Sequence, residues 1–201
     1  LANDVEDDVV DALAQTVTAR MPDLTHRYYA IKAKWMGKDI LPWWDRNAPL
    51  PGEDTRKFTW DEAKALILEA FGDFDPMMAE VAGWFFDRGW IDAPQRDGKA
   101  SGAFSHPTVP SAHPYILMNF SGNVRDVMTL AHELGHGIHQ VLAAPRGHFM
   151  CSTPLTLAET ASVFGEMLVF RKLLDASEDK GQRRALLAGK IEDMLNTVVR
   201  Q

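Results

Sequence analysis

The sequence predicts a mainly α-helical fold carrying a small β-sheet, and three observations predict it. Apolar residues recur at spacings of three and four through most of the 201 residues, which marks amphipathic helices. Helix-start signals stand at Thr59 with Glu62, Asp75-Pro76, Asn123 and Thr153-Pro154. One stretch, Asp97 to Phe120, interrupts the pattern with Gly98, Gly102, Pro107, Pro110 and Pro114, then the extended run Tyr115-Ile-Leu-Met-Asn-Phe120.

Taken in order, Val5, Val9, Leu13 and Val17 mark a first helix with acidic residues gathered near its start, where they suit the helix dipole. Pro22 fits the first turn of a second, striped by Leu24, Tyr28, Ile31 and Trp35. Gly37 to Lys57 is rich in turn residues and reads as a long surface connection. The Thr59/Glu62 capping-box spacing starts a third helix that runs to about Phe71, and Asp75-Pro76 opens a fourth that Gly89 closes. Short strands then make a small sheet, and Asn123 caps a helix starting at Val124. From Ala185 a helical pattern of Leu186, Leu187, Ile191, Met194, Leu195, Val198 and Val199 is still running at Gln201, and the chain opens on Leu1, not methionine. The expectation is a piece of a longer protein. Residues 1–97 form a helical segment and residues 98–201 a site-bearing region, the two making one structural unit truncated at both ends.

Composition excludes several classes. Hydrophobic residues at 46% and charged residues at 24% suit a globular core. A net charge of -7 without any basic patch argues against nucleic acid, whose phosphates demand clustered Lys and Arg. The single Cys151 rules out an internal disulfide framework and points to a reducing cytoplasm. No apolar run is long enough to span a bilayer.

The chemistry sits in Ala131-His-Glu-Leu-Gly-His136. Residues four apart share a helix face with β-carbons about 5–6 Å apart, so the imidazoles of His132 and His136 can bind one zinc ion. Glu133 can reach water on that ion without ligating it, as the general base of a His-Glu-x-x-His site. Val127, Ala131, Leu134, Ile138 and Val141 give the same helix a core face. By chance, such a motif is roughly a one-in-a-hundred event in a chain of this size, so a third ligand decides its meaning. A histidine ten residues after the first, with glycine between, is excluded, because Leu142 and His139 occupy those positions. A glutamate on a second helix remains. Glu159 lies in the helix begun by Thr153-Pro154, among Ala158, Ala161, Ser162 and Gly165, which are small enough for close helix approach. Three protein ligands leave a position open, as catalytic zinc requires. Glu166, seven residues on, shares nearly the same face and can hold a ligating histidine from behind.

Ala131-His-Glu-Leu-Gly-His-Gly137 followed by Leu157-Ala-Glu-Thr-Ala-Ser-Val-Phe-Gly-Glu166 resembles the oligoendopeptidase F family, relatives of thimet oligopeptidase. His113-Pro-Tyr-Ile-Leu-Met-Asn-Phe-Ser-Gly122, Arg125-Asp-Val-Met-Thr-Leu130 and Gly98-Lys-Ala-Ser-Gly-Ala-Phe104 extend the likeness, which is strong from Gly98 to Phe170. The resemblance implies a zincin-like, mostly helical metallopeptidase region with one Zn2+ on His132, His136 and Glu159 and Glu133 as base. It further implies a deep channel that admits short unstructured peptides, lined in part by the Gly98–Phe104 edge. Family members also set tyrosines and a histidine, downstream of the metal site, against the developing oxyanion. This chain has only Tyr28, Tyr29 and Tyr115, and loss of one oxyanion donor costs about a hundred- to a thousandfold in rate. The expected activity is therefore zinc-dependent endopeptidase cleavage of oligopeptides. The alternatives are a carboxypeptidase or dipeptidyl carboxypeptidase on the same ligands, or a zinc-binding piece left inactive.

The remaining candidates read mainly as structure. His139 shares the face of His136, and His106, His113 and His148 lie in loop or strand contexts. Cys151 reads as a small buried residue, Asp126 as a cap partner, and the six tryptophans, among them Trp43, Trp44, Trp84 and Trp90, as core packing.

Overall fold

A computed structural model describes residues 4–50 and 56–199. The chain divides into two compact units, one of residues 56–175 and one of residues 4–50 with 176–199. Within the second unit lie α1 (Asp7–Trp35), a 3-10 turn at Trp43–Asp45 and α6 (Lys180–Val199). The other unit holds α2 (Trp60–Phe74), α3 (Pro76–Asp87), β1 (Ile91–Asp92), β2 (Phe104–His106), β3 (Tyr115–Leu117), α4 (Val124–Ala143), a 3-10 turn at Ala144–Arg146, and α5 (Leu155–Asp175). The mainly helical class with a small sheet is as the sequence predicts.

The first helix corrects the sequence reading. Two helices were expected to meet at Pro22, but α1 runs unbroken from Asp7 to Trp35 with Pro22 inside it. Proline removes one i→i−4 hydrogen bond, and the carbonyl it orphans belongs to Thr18, on an exposed turn where water can serve it. The predicted stripe is also largely unburied, with Val9, Leu13, Leu24 and Ile31 exposed and Tyr28 buried. Polar chemistry fastens this unit instead. Lys32 is fully buried, and its Nζ donates to Glu192 Oε1 at 2.7 Å and to the Arg46 carbonyl at 2.6 Å. Tyr28 Oη donates to Glu192 Oε2 at 2.7 Å, joining α1 to α6. The tryptophan reading fails nearby, because Trp43 and Trp44 are 81% and 68% exposed and pack edge-on against each other. Part of the predicted connection, residues 51–55, and the helix end at residues 200–201 lie outside the described residues.

In the larger unit the local signals act as read. Thr59 and Glu62 form a reciprocal capping box at the start of α2. Asp75 Oδ1 accepts from the Met77 N–H to open α3, and Gly89, at φ +68°, supplies the left-handed residue beyond its end. The sheet has the order β1-β3-β2, with Ile91 paired in parallel to Ile116 and Ser105 antiparallel to Ile116 on the other side. β2 is an edge strand. β1 lies earlier than the stretch read as sheet, since two residues are too few to show a period.

Phe71, Phe85, Ile67, Leu130, Leu134, Val127, Val169, Ile116 and Met118 form the dry core joining α2, α3, α4, α5 and the sheet. Each such side chain contributes about 1.5–3 kcal/mol by leaving water. That core fixes α4 on the predicted face, with Val127, Ala131, Leu134 and Ile138 inward. Its N-terminus is held by Asp126, whose Oδ2 accepts from the backbone N–H groups of Ser121 (2.7 Å) and Asn123 (3.1 Å).

Candidate metal centre

α4 and α5 cross at unusually close range, and glycine makes the approach possible. A Cβ built on Gly135 would stand 2.6 Å from the Ala161 carbonyl oxygen, and one on Gly165 would stand 3.0 Å from that of Ala131. At this crossing the structure brings together His132 and His136 from α4 and Glu159 from α5. One ligand atom from each lies within 4.8 Å of the others. His132 Nε2 is 3.3 Å from Glu159 Oε2, and His136 Nε2 is 3.6 Å from Glu159 Oε1.

His132 is held from behind. Its Nδ1 lies 3.3 Å from Glu166 Oε2, and because a carboxylate accepts only, Nδ1 carries the proton and Nε2 is left to face the site. Burial pulls its pKa down, but the hydrogen bond to Glu166 and the charges of Glu133, Glu159 and Glu166 outweigh that and hold it above the usual histidine value. His136 lies below it, lowered first by burial, then by His132 and His139. Glu159 and a hydrogen bond to the Ala158 carbonyl oppose the shift.

Glu133 is buried at 6% exposure, and its Oε2 has no hydrogen-bond partner in the protein. Burial pushes its carboxyl up to about 7, assisted by Glu159 and opposed by His132 and a backbone hydrogen bond from Ser105. Ser105 belongs to the edge strand β2. Gln140 of α4 clasps it there, with Gln140 Nε2 donating to the Ser105 carbonyl at 3.2 Å and Ser105 Oγ donating to Gln140 Oε1 at 2.9 Å.

Other sequence candidates stand apart from the group. His113 stacks on Trp90 at 4.1 Å, and His106 Nδ1 accepts from the Thr108 N–H at 3.0 Å. Cys151 is half-buried, not enclosed, and its Sγ donates to the His148 carbonyl at 3.6 Å. His139 is outside the convergent group. Sequence reasoning missed Ser105 and Gln140, whose contact joins distant segments, and the Ala158 carbonyl, which no side-chain pattern can signal. It also read Ser162 only as a small residue allowing close helix approach, although a position three beyond Glu159 on a helix shares its face.

Comparison with known proteins adds an independent finding. The family described as Peptidase family M3 matches residues 2–201. Oligopeptidase PepF of Bacillus subtilis (strain 168) is 32% identical across 99% of this chain and 30% of its own length. Oligoendopeptidase F, chromosomal, of Lactococcus lactis subsp. cremoris is 31% identical across 100% of this chain and 33% of its own. Among solved structures, a protein from Chlamydophila abortus superposes with a TM-score of 0.82 at 27% identity, covering 97% of this chain and 32% of that one. The chain spans about a third of the length of the curated relatives it matches.

Proposed function

The chain belongs to peptidase family M3, a metallopeptidase family, and on that premise we propose that it carries the zinc-binding and proton-transferring centre of an endopeptidase acting on short oligopeptides. The observation that carries the reading is the convergence of two imidazoles and a carboxylate beside a buried glutamate with an unpartnered oxygen. His132, His136 and Glu159 would hold the ion. Ligands about 2.0–2.1 Å from a tetrahedral zinc stand roughly 3.4 Å from one another, and the Glu159 oxygens lie 3.3 and 3.6 Å from the two Nε2 atoms. Two nitrogens and one oxygen fit zinc, and three ligands leave the open position of a catalytic site.

Bound there, zinc supplies Lewis acidity to a peptide carbonyl and to water. Glu133 supplies the base: its free Oε2 takes the proton of the attacking water and returns it to the departing amine. The Ser105 N–H, held at the strand edge by Gln140, steadies that carboxylate. Glu166 keeps the His132 imidazole turned inward. The substrates are short unstructured peptides, in keeping with the names of the relatives. A net charge of -7 does not favour nucleic acid, and no described helix is long and apolar enough to cross a bilayer. The single Cys151 suits work in the cytoplasm.

The test is cleavage by the full natural polypeptide, read by mass spectrometry on short peptides and on a folded protein. Internal cuts in the peptides alone are expected, lost on chelation and restored by zinc. Stepwise release of residues or dipeptides from C-termini would assign a carboxypeptidase or dipeptidyl carboxypeptidase instead, and no cleavage at all would overturn the reading. Glu166→Ala is expected to weaken zinc binding about ten- to a hundredfold by freeing the His132 ring. Titration against a competing chelator reads this, and parent-like affinity would remove Glu166 from the account.

A further inference from the structure

Two of the three convergent side chains have a polar side-chain partner on α5 outside the group. Glu166 stands behind His132, its Oε2 3.3 Å from Nδ1, and Ser162 stands beside Glu159. Glu159 is the least enclosed of the three, 49% exposed against 26% and 14% for the histidines. A long side chain half in water loses much rotamer freedom when it is fixed on an ion. Yet Glu159 Oε2 lies 3.0 Å from Ser162 Oγ, and Ser162 is completely buried.

A buried hydroxyl is costly unless it is hydrogen-bonded. The single Ser162 hydroxyl hydrogen has two acceptors at equal distance, the Glu159 carbonyl oxygen and Glu159 Oε2, both at 3.0 Å. The carbonyl already serves the helix ladder of α5, and a hydrogen bond to a carboxylate is the stronger of the two. Ser162 is completely buried in α5, and alanine there would keep its Cβ and remove only the hydroxyl. A Ser162→Ala change therefore isolates the hydroxyl from the packing.

We propose that Ser162 is a positioning residue for metal capture, its hydroxyl donating to Glu159 Oε2 and keeping the carboxylate turned towards His132 and His136 before the ion arrives. This rests on Glu159 being a metal ligand. The Ser162 side chain itself touches neither ion nor substrate, and it acts by reducing the rotamers that Glu159 must give up.

The experiment is a zinc affinity measurement on the full natural polypeptide by competition with a chelator, for the parent, Ser162→Ala, Ser162→Gly, Glu159→Ala and the Glu159→Ala/Ser162→Ala pair. Metal-free thermal unfolding is recorded alongside. Ser162→Ala is expected to weaken zinc about tenfold or more while leaving the metal-free melting temperature near the parent's. Ser162→Gly, which removes the same hydroxyl with less volume, should weaken it equally. In the Glu159→Ala background, loss of the hydroxyl should cost nothing further. Parent-like affinity in Ser162→Ala, with zinc lost in Glu159→Ala, would overturn the positioning role and leave the ligand intact. Additive losses in the pair would assign Ser162 to packing and equally overturn it. Parent-like affinity in Glu159→Ala would remove the ligand itself, and the inference with it.

Discussion

Glu133→Gln is expected to lower kcat/KM for peptide hydrolysis by the full natural polypeptide about a hundred- to ten-thousandfold while leaving the metal content unchanged. The amide keeps the volume and the hydrogen-bonding oxygen of the carboxylate but cannot take a proton from water. Because Glu133 is outside the convergent group of His132, His136 and Glu159, zinc retention separates loss of the base from loss of the site. Stability should hold or rise. The carboxylate is buried with Oε2 unpartnered, an unfavourable arrangement that a neutral side chain relieves. Steady-state kinetics on a quenched peptide, elemental analysis and thermal unfolding of the same preparation check the three statements. Parent-like turnover would remove Glu133 as the base.

Gly135→Ala should damage the fold and the metal site together. Mid-helix, alanine normally gains about 1 kcal/mol over glycine. Here the added Cβ would stand 2.6 Å from the Ala161 carbonyl oxygen and 2.8 Å from the Ser162 Cα. Both are backbone atoms, so α4 and α5 must separate to admit it, and overpacking of this kind typically costs about 1–3 kcal/mol or more. The separation also carries Glu159 away from His132 and His136, so zinc affinity should fall together with the melting temperature. Gly83→Ala is the control. A Cβ on that residue, within α3, would meet nothing within 4 Å, and the variant should gain up to about 1 kcal/mol. Equal melting temperatures for the two variants would contradict the close crossing.

These contrasts show where the sequence was legible. Local chemistry with a fixed offset could be read directly: the Thr59/Glu62 box, Asp75 before Pro76, and the face shared by His132 and His136. Offsets along α5 placed Glu159 and Glu166 on one side, and the structure sets both against His132. Pro22 misled because the cost of proline depends on whether the orphaned carbonyl can reach water, which no local rule encodes. Trp43 and Trp44 misled because large apolar side chains usually seek a core, and these two lie on a turn. β1 was invisible because its two residues take their conformation from the neighbouring Ile116–Leu117 backbone. The Gln140–Ser105 clasp joins segments 35 residues apart, and only the packing of the sheet against α4 brings them together.

The central claim is that His132, His136 and Glu159 hold one zinc ion, and metal content of the purified protein tests it most directly. Elemental analysis after zinc supplementation and desalting should find about one zinc per chain in the parent, and little or none in a folded Glu159→Ala variant. A folded parent without zinc, or a Glu159→Ala variant that retains the full complement, would contradict the claim.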